Sequence, residues 1–185
     1  SGETPDNRQE SSSTQHQILE LSYAERVRTL IHLQQVGSLS TLSEKHSGWP
    51  FGSVMPYGLD QTGNPTFLIS TMAIHTQNLR HNPKASLLII EAAADEDPLG
   101  KARVTIMGEI TQVAEEDLAV IRESYLNQHQ EARYWVDFGD FAFYRMKIIA
   151  LYFVGGFGVM GWVTEEEYQQ AEVDSLADIA PEIIQ

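Results

Sequence analysis

Apolar and polar residues alternate with a period of two in several short stretches of the chain, which is the pattern of half-buried β-strands. Six stretches of this kind cover residues 36–43, 51–59, 66–70, 85–91, 103–113 and 141–154. Clusters of turn-forming residues separate some of them, such as the run from Asp60 to Pro65. Because parallel strands need crossovers of about a dozen residues or more, the short turns predict an antiparallel barrel.

Helical periodicity appears in short segments between these strands. It predicts helices over residues 23–35 and 74–80, a third around 118–125, and a last one that starts at 164. Ser22 with Glu25, and Thr164 with Glu167, have the spacing of capping boxes, in which a hydroxyl and a carboxylate satisfy free backbone N–H groups at a helix start. The predicted fold class is therefore mainly β, with short helices inserted singly between strands.

The two ends of the chain differ from its middle. Residues 1–21 are polar, rich in serine and without the apolar core of a secretory signal, so we predict a disordered leader. Residues 22–162 are predicted to form one barrel domain, and residues 163–185 an acidic helix and tail. From Trp162 onward the chain has seven Asp and Glu residues and no Lys or Arg, which is half of the net charge of -14. The acidity therefore says little about a ligand site in the barrel.

Composition excludes several kinds of site. The chain has 185 residues and no cysteine, which rules out disulfides, thiolate metal ligands and a cysteine nucleophile. With 12 Lys and Arg against 26 Asp and Glu, it is poorly suited to bind nucleic-acid phosphates or anionic lipids. No apolar run approaches the roughly 20 residues of a membrane span. We therefore expect small molecules or proteins as partners, with no nucleic acid and no membrane.

Two familiar motifs are better explained as turns. Residues 156–161 match the dinucleotide pattern G-x-G-x-x-G, but only 24 residues follow, without the second parallel strand and acidic ribose partner that the fold needs. Residues 137–139 read Asp-Phe-Gly, and no other kinase signature accompanies them. The six histidines show no metal-ligand spacing, so no metal site is predicted.

The strongest candidate for an anion site is the segment 70–80. It runs from a strand end into a helix start, where free backbone N–H groups and the helix dipole favour negative charge. Ser70, Thr71 and Thr76 can donate hydrogen bonds, and His75 adds a charge when it is protonated. An ordinary capped helix start explains the same pattern, and the sequence leaves both interpretations open.

Several motifs together resemble the pyridoxamine 5'-phosphate oxidase-like superfamily of FMN-binding split barrels. The longest of them is SGWPFGSVMPY at residues 47–57. The others lie at residues 68–70, 75–79, 82–88, 102–108, 137–141 and 154–158. The closer likeness is to the HugZ-type, haem-utilisation branch, which also includes a plant and cyanobacterial glutamyl-tRNA reductase-binding protein. The resemblance covers about 23–162, nearly the whole of the predicted fold.

The resemblance implies a six-stranded antiparallel split β-barrel that forms a homodimer, with ligands at the dimer interface. Flavin-binding members hold the FMN phosphate with basic residues on the segment that matches 70–79. Thr71 and His75 stand where such flavoenzymes often carry Arg and Lys. The phosphate would lose two charge-assisted hydrogen bonds, each worth about 1.5–3 kcal/mol.

Three functional hypotheses follow from the resemblance. The leading one is an FMN-binding protein resembling flavin-dependent oxidoreductases, with no catalytic residue assigned. The alternative is a non-enzymatic haem-binding or regulatory module with a protein partner in tetrapyrrole synthesis, and a third is a structural dimer with a vacant site. Haem-degrading members use an axial histidine beyond the barrel, whereas this chain has no histidine after His129. The expected location is the cytoplasm, or the plastid stroma for a plant source.

The predicted cofactor-binding residues form two sets. The anionic end of the ligand is assigned to Ser70, Thr71, His75, Thr76 and Asn78. Three further residues, Ser53, Met55 and Arg103, are expected nearby.

Overall fold

The computed structural model describes residues 21–92 and 97–174. In this part of the chain an antiparallel sheet of eight strands curls into a half-barrel. The strands are β1 (Val36–Leu42), β2 (Pro50–Pro56), β3 (Gly58–Leu59), β4 (Pro65–Ser70), β5 (Lys84–Ile90), β6 (Arg103–Gln112), β7 (Phe141–Gly156) and β8 (Val159–Thr164). Their order across the sheet is β2-β1-β5-β6-β7-β4-β3, and β8 pairs with β7.

The described residues form four short helices, as the periodicity predicts: one precedes β1, two lie between strands, and one follows β8. They are α1 (Tyr23–Leu33), α2 (Ile74–His81), α3 (Leu118–Gln128) and α4 (Glu165–Gln170). Both predicted capping boxes are confirmed: Ser22 Oγ accepts from the N–H of Glu25 at 3.1 Å, and Thr164 Oγ1 accepts from the N–H of Glu167 at 3.1 Å. None of the helices in the described part of the chain is long and apolar enough to cross a membrane.

The predicted count of six strands is wrong, for two reasons. The first reason is that the stretch 51–59 is divided at Tyr57, whose buried hydroxyl donates to the carbonyl of Ile31 at 2.7 Å. Before Tyr57, β2 pairs with β1, and after it, β3 pairs with β4. The additional strand β8 follows Gly156 and Gly158, which have φ values of 121° and 73°. These glycines make a tight turn, as predicted, and the turn is followed by a strand that the sequence did not reveal.

The inner face of the sheet carries the main core. A row of aligned side chains crosses β1, β5, β6, β7 and β8 in register, and its members are Leu39, Leu87, Ile106, Leu151 and Val163. All five are buried, and α1 covers them with Val27 and Ile31. Each such side chain contributes about 1.5–3 kcal/mol when it is fully buried. This row fixes the register of the half-barrel.

A second core lies on the outer face at the start of β7. Helix α3 and the 3₁₀ turn Gln130–Tyr134 pack there over Phe143 and Leu68, using Ile121, Tyr125 and Val136. The apolar periodicity of α3 is therefore explained by this contact. Beyond the helix, the described residues leave the outer face of the sheet uncovered.

The uncovered part of the outer face is rich in apolar residues. We call it the outer sheet face and define it by Val54, Leu88, Ile90, Met107, Tyr152 and Trp162, which lie on β2, β5, β6, β7 and β8. Val54 is 79% exposed and Trp162 62%. A hollow of about 530 Å³ continues this face, with Leu42, Pro50 and Ile149 among its lining residues.

Ile149 projects into this hollow because of a β-bulge. The register between β6 and β7 shifts at Met107 and Gly108, so that Ile149 has no residue opposite it. A Cβ atom at Gly108 would collide with the backbone carbonyl oxygen of Lys147. Glycine is therefore required where the two strands approach most closely.

The predicted leader and tail fall mostly outside the described residues. Residues 1–20 and 175–185 belong to this undescribed part of the chain. The domain limits at 21 and 162 remain predictions.

Candidate functional site

The predicted anion segment begins where β4 ends, and it is tied to the start of β7. Ser70 Oγ donates to Asp140 Oδ2 at 3.0 Å and accepts from the N–H of Met72 at 3.1 Å. The N–H of Thr71 donates to the carbonyl oxygen of Asp140 at 2.6 Å. The Ser70 hydroxyl is thus already donating, and a carboxylate stands beside the segment. Both features oppose a strongly anionic ligand.

Helix α2 starts directly after this turn without a side-chain cap. Its N-cap is Ala73, which makes no side-chain hydrogen bond, and the first turn has no acidic residue. The interpretation as an ordinary capped helix start is therefore wrong. The first N–H groups of α2 are available to an external acceptor or to water.

His75 and Thr76 bring unpaired polar atoms to this helix start. His75 Nε2 and Thr76 Oγ1 are buried and have no hydrogen-bond partner among the described residues. Burial lowers the pKa of the His75 imidazole from its ordinary value of 6.5. The ring is therefore neutral near pH 7 and does not supply the positive charge that protonation would give.

Asn78 is committed inside the protein. Its Nδ2 donates to Thr41 Oγ1 at 3.1 Å, and its Oδ1 accepts from the N–H of Glu44 at 3.0 Å. The side chain is buried and holds α2 against the end of β1. In the single chain the Asn78 side chain therefore positions α2, and ligand contacts at this helix start would come from the neighbouring residues.

The remaining predicted residues lie elsewhere in the half-barrel. Ser53 is half-buried on the edge strand β2, and Met55 is buried in the main core. Arg103 opens β6, where its Nη1 atom donates to the carbonyl oxygens of Pro98, Leu99 and Lys101 at 3.2–3.3 Å.

Strand register separates Arg103 from the anion segment. Ser70 pairs with Phe141, whereas Arg103 pairs with Val154, 13 residues further along β7. At about 3.3 Å per residue, this is roughly 40 Å of strand. The structure therefore brings Ser70, Thr71, His75, Thr76 and Asn78 together, and it does not bring Arg103 to them within one chain.

Arg103 lies next to aromatic residues at the opposite end of β7. Tyr152 and Trp162 are cross-strand neighbours, with ring centroids 5.0 Å apart. Arg103 is on the same outward side of the sheet, two residues before Thr105, which pairs with Tyr152. This end of the outer sheet face thus combines a guanidinium with exposed rings.

The sequence did not reveal Asp140, Thr41 or Glu44 as neighbours of the segment. Asp140 was assigned to a turn before the last predicted strand, and its backbone does precede β7. Its contact with Ser70 depends on the pairing of β4 with β7, two strands 70 residues apart in sequence. No local pattern carries that information.

The described residues fit some cofactors better than others. They contain no group of three His, Asp or Glu side chains that could hold a metal ion. The phosphate of FMN is a poor match for the start of this segment, because His75 is neutral, Asp140 lies against Ser70, and Arg80 is in the last turn of α2. A large apolar ligand fits better, since Met72 and Ile74 expose 74% and 50% of their surface next to His75.

The curled antiparallel sheet, its inserted short helices and its uncapped helix start at the β4–α2 junction define a protein of the split-barrel class. The chain belongs to the CREG β-barrel family, whose model matches residues 19–170.

Similar proteins carry names from haem and tetrapyrrole metabolism. The chain is 40% identical over 164 residues to the chloroplastic non-canonical heme oxygenase HOZ of Arabidopsis thaliana, covering 86% of this chain and 50% of that protein. It is 28% identical over 167 residues to the chloroplastic glutamyl-tRNA reductase-binding protein of the same plant, covering 87% of this chain and 46% of that one. The chain thus spans about half the length of these relatives.

A solved structure agrees with these relatives. The heme binding protein from Mycobacterium smegmatis superposes with a TM-score of 0.78 and 37% identity, over 84% of this chain and 63% of that chain. The resemblance to split barrels and to their haem-utilisation branch is confirmed.

Proposed function

We propose that this protein binds haem at a site that two copies of the chain share. The observation that carries the proposal is the β4–α2 junction, where a neutral His75 follows the exposed apolar side chains of Met72 and Ile74, and where Asp140 accepts a hydrogen bond from Ser70. FMN was the leading hypothesis from the sequence, and this junction favours the alternative, haem. The similarity to proteins named for haem supports the same choice.

His75 and its neighbours would contact the haem directly. A neutral imidazole is the form in which histidine binds iron, and Nε2 of His75 makes no hydrogen bond among the described residues. Because this atom is buried in the single chain, the ring would turn outward to reach the iron. Met72 and Ile74 would pack against the face of the macrocycle, and the hydroxyl of Thr71 would donate to a propionate. When bound, haem would supply the redox chemistry, while the protein binds and orients it.

A second copy of the chain would complete the site. The start of the segment has no positive charge for the haem propionates, since Arg80 lies in the last turn of α2, and Arg103 is roughly 40 Å of strand away in the same chain. Two copies that pack through their outer sheet faces about a two-fold axis would place the Arg103 end of one over the Ser70 end of the other. The exposed apolar residues Val54, Leu88 and Trp162 support this homodimer.

An absorption titration tests the proposal. Haem added to the protein is expected to give a shifted Soret band that saturates, whereas FMN at the same concentrations gives no spectral change. His75→Ala is expected to shift the band and weaken binding about tenfold or more. The matched control is His81→Ala, at the exposed end of α2, which is expected to bind haem like the original protein. Tight FMN binding, or no Soret change with haem, would contradict the proposal.

Oxidative breakdown of haem is a second candidate function. It is favoured by the 40% identity to a protein named as a heme oxygenase, which extends over 86% of this chain. The haem complex would be mixed with a reductant in air. Faster loss of the Soret band than for free haem, with a linear tetrapyrrole as product, would support it. An unchanged complex would leave haem binding alone as the function.

A protein partner in tetrapyrrole synthesis remains a proposal. It is supported by the 28% identity to a protein named for binding glutamyl-tRNA reductase. A pull-down with purified glutamyl-tRNA reductase, in the presence and absence of haem, tests it. The cytoplasmic location, or the plastid stroma for a plant source, stays a prediction.

A further inference from the structure

A polar cavity lies apart from the proposed haem site. It has a volume of about 660 Å³ and is enclosed by the turn after β3, by β6 and β7, and by the start of α3. Its chemistry comes from six side chains, Asp60, Thr62, Thr111, Asp117, Arg145 and Lys147. A volume of this size suits a small molecule.

Arg145 is the central charge of the polar cavity. Its Nη2 donates to Asp117 Oδ2 at 3.2 Å, and its Nη1 lies 3.8 Å from Asp60 Oδ2. The Asp60 side chain is largely buried, and its own turn occupies its Oδ1 atom, which accepts hydrogen bonds from Thr62 and from the N–H of Asn64 at 2.9–3.0 Å. Arg145 is therefore held in place between two elements, with about a third of its side chain exposed to the cavity.

Two charges at the polar cavity are left without a complete set of partners. Lys147 is exposed and makes no ion pair in the described structure, although Glu109 is opposite it on β6. Asp117 is about half exposed, and its Oδ1 atom has no hydrogen bond among the described residues. The cavity thus offers a free ammonium on one side and a free carboxylate oxygen on another.

The balance of charge selects the kind of ligand. A simple cation would meet Arg145 and Lys147, and a simple anion would meet Asp60 and Asp117, so either would face like charge at close range. A molecule that carries both charges can satisfy both free groups at once. Its carboxylate would lie against Lys147 and the exposed edge of Arg145, and its ammonium against Asp117.

We infer that the polar cavity is a binding site for a small zwitterion, a metabolite with one ammonium and one carboxylate group. The site is built within one chain. It is separated from Ser70 by the length of β4, because Arg145 pairs with Thr66 at the opposite end of that strand. All of its groups come from one chain, and none of them is proposed as a haem contact.

Calorimetric titration with three probes that share one carbon skeleton tests this inference. The probes are 4-aminobutanoate, which carries both charges, and butanoate and butylammonium, which carry one each. Saturable heat is expected with 4-aminobutanoate, and affinity at least about tenfold lower with the other two. No saturable heat with 4-aminobutanoate, or equal affinity for butanoate, would overturn the inference.

Variants of the two free groups locate the binding. Lys147→Gln and Asp117→Asn are each expected to weaken 4-aminobutanoate binding about tenfold. Lys45→Gln is the control, because Lys45 is an exposed lysine in the turn between β1 and β2, outside the polar cavity and the outer sheet face. Lys147 is exposed on a central strand, so its loss leaves the fold intact, and the melting temperature checks this. Unchanged binding in both variants would overturn the inference.

Discussion

The two ends of β7 offer a ligand different chemistry. At the Phe141 end, the paired strand β4 leads into hydroxyl groups, a neutral imidazole and the carboxylate of Asp140. At the Val154 end, the paired strand β6 contributes Arg103, and exposed rings lie beside it. At the first end the positive charge of Arg80 lies in the last turn of α2, away from the hydroxyl groups, whereas the second end has Arg103 beside the rings. Neither end alone matches an apolar ligand with acidic groups.

This difference explains why the predicted site residues do not meet in one chain. A long strand holds the two ends apart, and only a two-fold related copy brings unlike ends together. The outer sheet face, which is apolar and uncovered, is the surface through which such copies would pack. Four changes to these regions test the comparison.

The largest effect is expected from a charge on the outer sheet face. Leu88→Asp places a carboxylate in the middle of the proposed interface, where its desolvation costs about 2–5 kcal/mol. The dimer should dissociate to monomer, and haem affinity should fall about 100-fold or more. Light scattering measures the mass and a Soret titration the affinity. Leu118→Asp is the control, because Leu88 and Leu118 are 41% and 40% exposed and only Leu88 lies on this face.

The second-largest effect, on FMN affinity, is expected from positive charge added at the start of α2. The double variant Thr71→Arg, His75→Lys adds two cations to the β4–α2 junction. Two charge-assisted hydrogen bonds to a phosphate would raise FMN affinity about 100-fold. FMN fluorescence quenching measures this. The double variant Gln61→Arg, Gln35→Lys, which adds the same two cations at exposed positions in other parts of the fold, serves as the control. If FMN binding does not improve, the missing charges do not explain the choice of ligand.

A smaller effect is expected from the second end. Arg103→Ala removes the proposed partner of a propionate and should weaken haem binding about tenfold, while the dimer persists. Arg103→Lys keeps the charge and should recover part of the affinity. Lys101→Ala removes a neighbouring base and should have no effect. An Arg103→Ala protein with full haem affinity would show that this end takes no part in the site.

The smallest effect is the pH dependence of stability due to His75. Because burial lowers its pKa, the unfolded chain binds this proton more readily than the folded chain. The contribution of neutral His75 to the free energy of unfolding is therefore fully present above the ordinary pKa of 6.5, and it is lost as the pH falls below that value. Urea unfolding at about pH 7.5 and about pH 5.5 should show a smaller loss for His75→Gln than for the original protein. His81→Gln should behave like the original, and an equal loss in all three would argue against a buried neutral ring.

Local chemistry was predictable from the sequence, whereas contacts between distant residues were not. The capping boxes at Ser22 and Thr164 are formed by residues three apart, so their spacing is sufficient to predict them. Asn78 was predicted as a ligand contact because a polar residue near a helix start suits that role. It instead binds Thr41 and Glu44, which requires knowing that α2 packs on β1.

The same limit applies to the shared site. The resemblance predicted that Arg103 and the segment 70–79 belong to one site. Only the strand register shows how far apart they lie in one chain. The neutral state of His75 also depends on burial, which the sequence does not give. The sequence thus predicted the helices and most of the strands, but it missed β8 and the division of 51–59, and it did not show which elements pack together.

Mixing two defective variants tests the shared site most directly. His75→Ala and Arg103→Ala chains are each prepared at a haem concentration where they bind little, then combined, unfolded and refolded together. Random pairing makes half of the dimers mixed, and each mixed dimer contains one site with both original residues and one with neither. We expect the Soret signal to recover to about one quarter of that of the original protein. No recovery, with mixed dimers shown to be present, would contradict a site built from two chains.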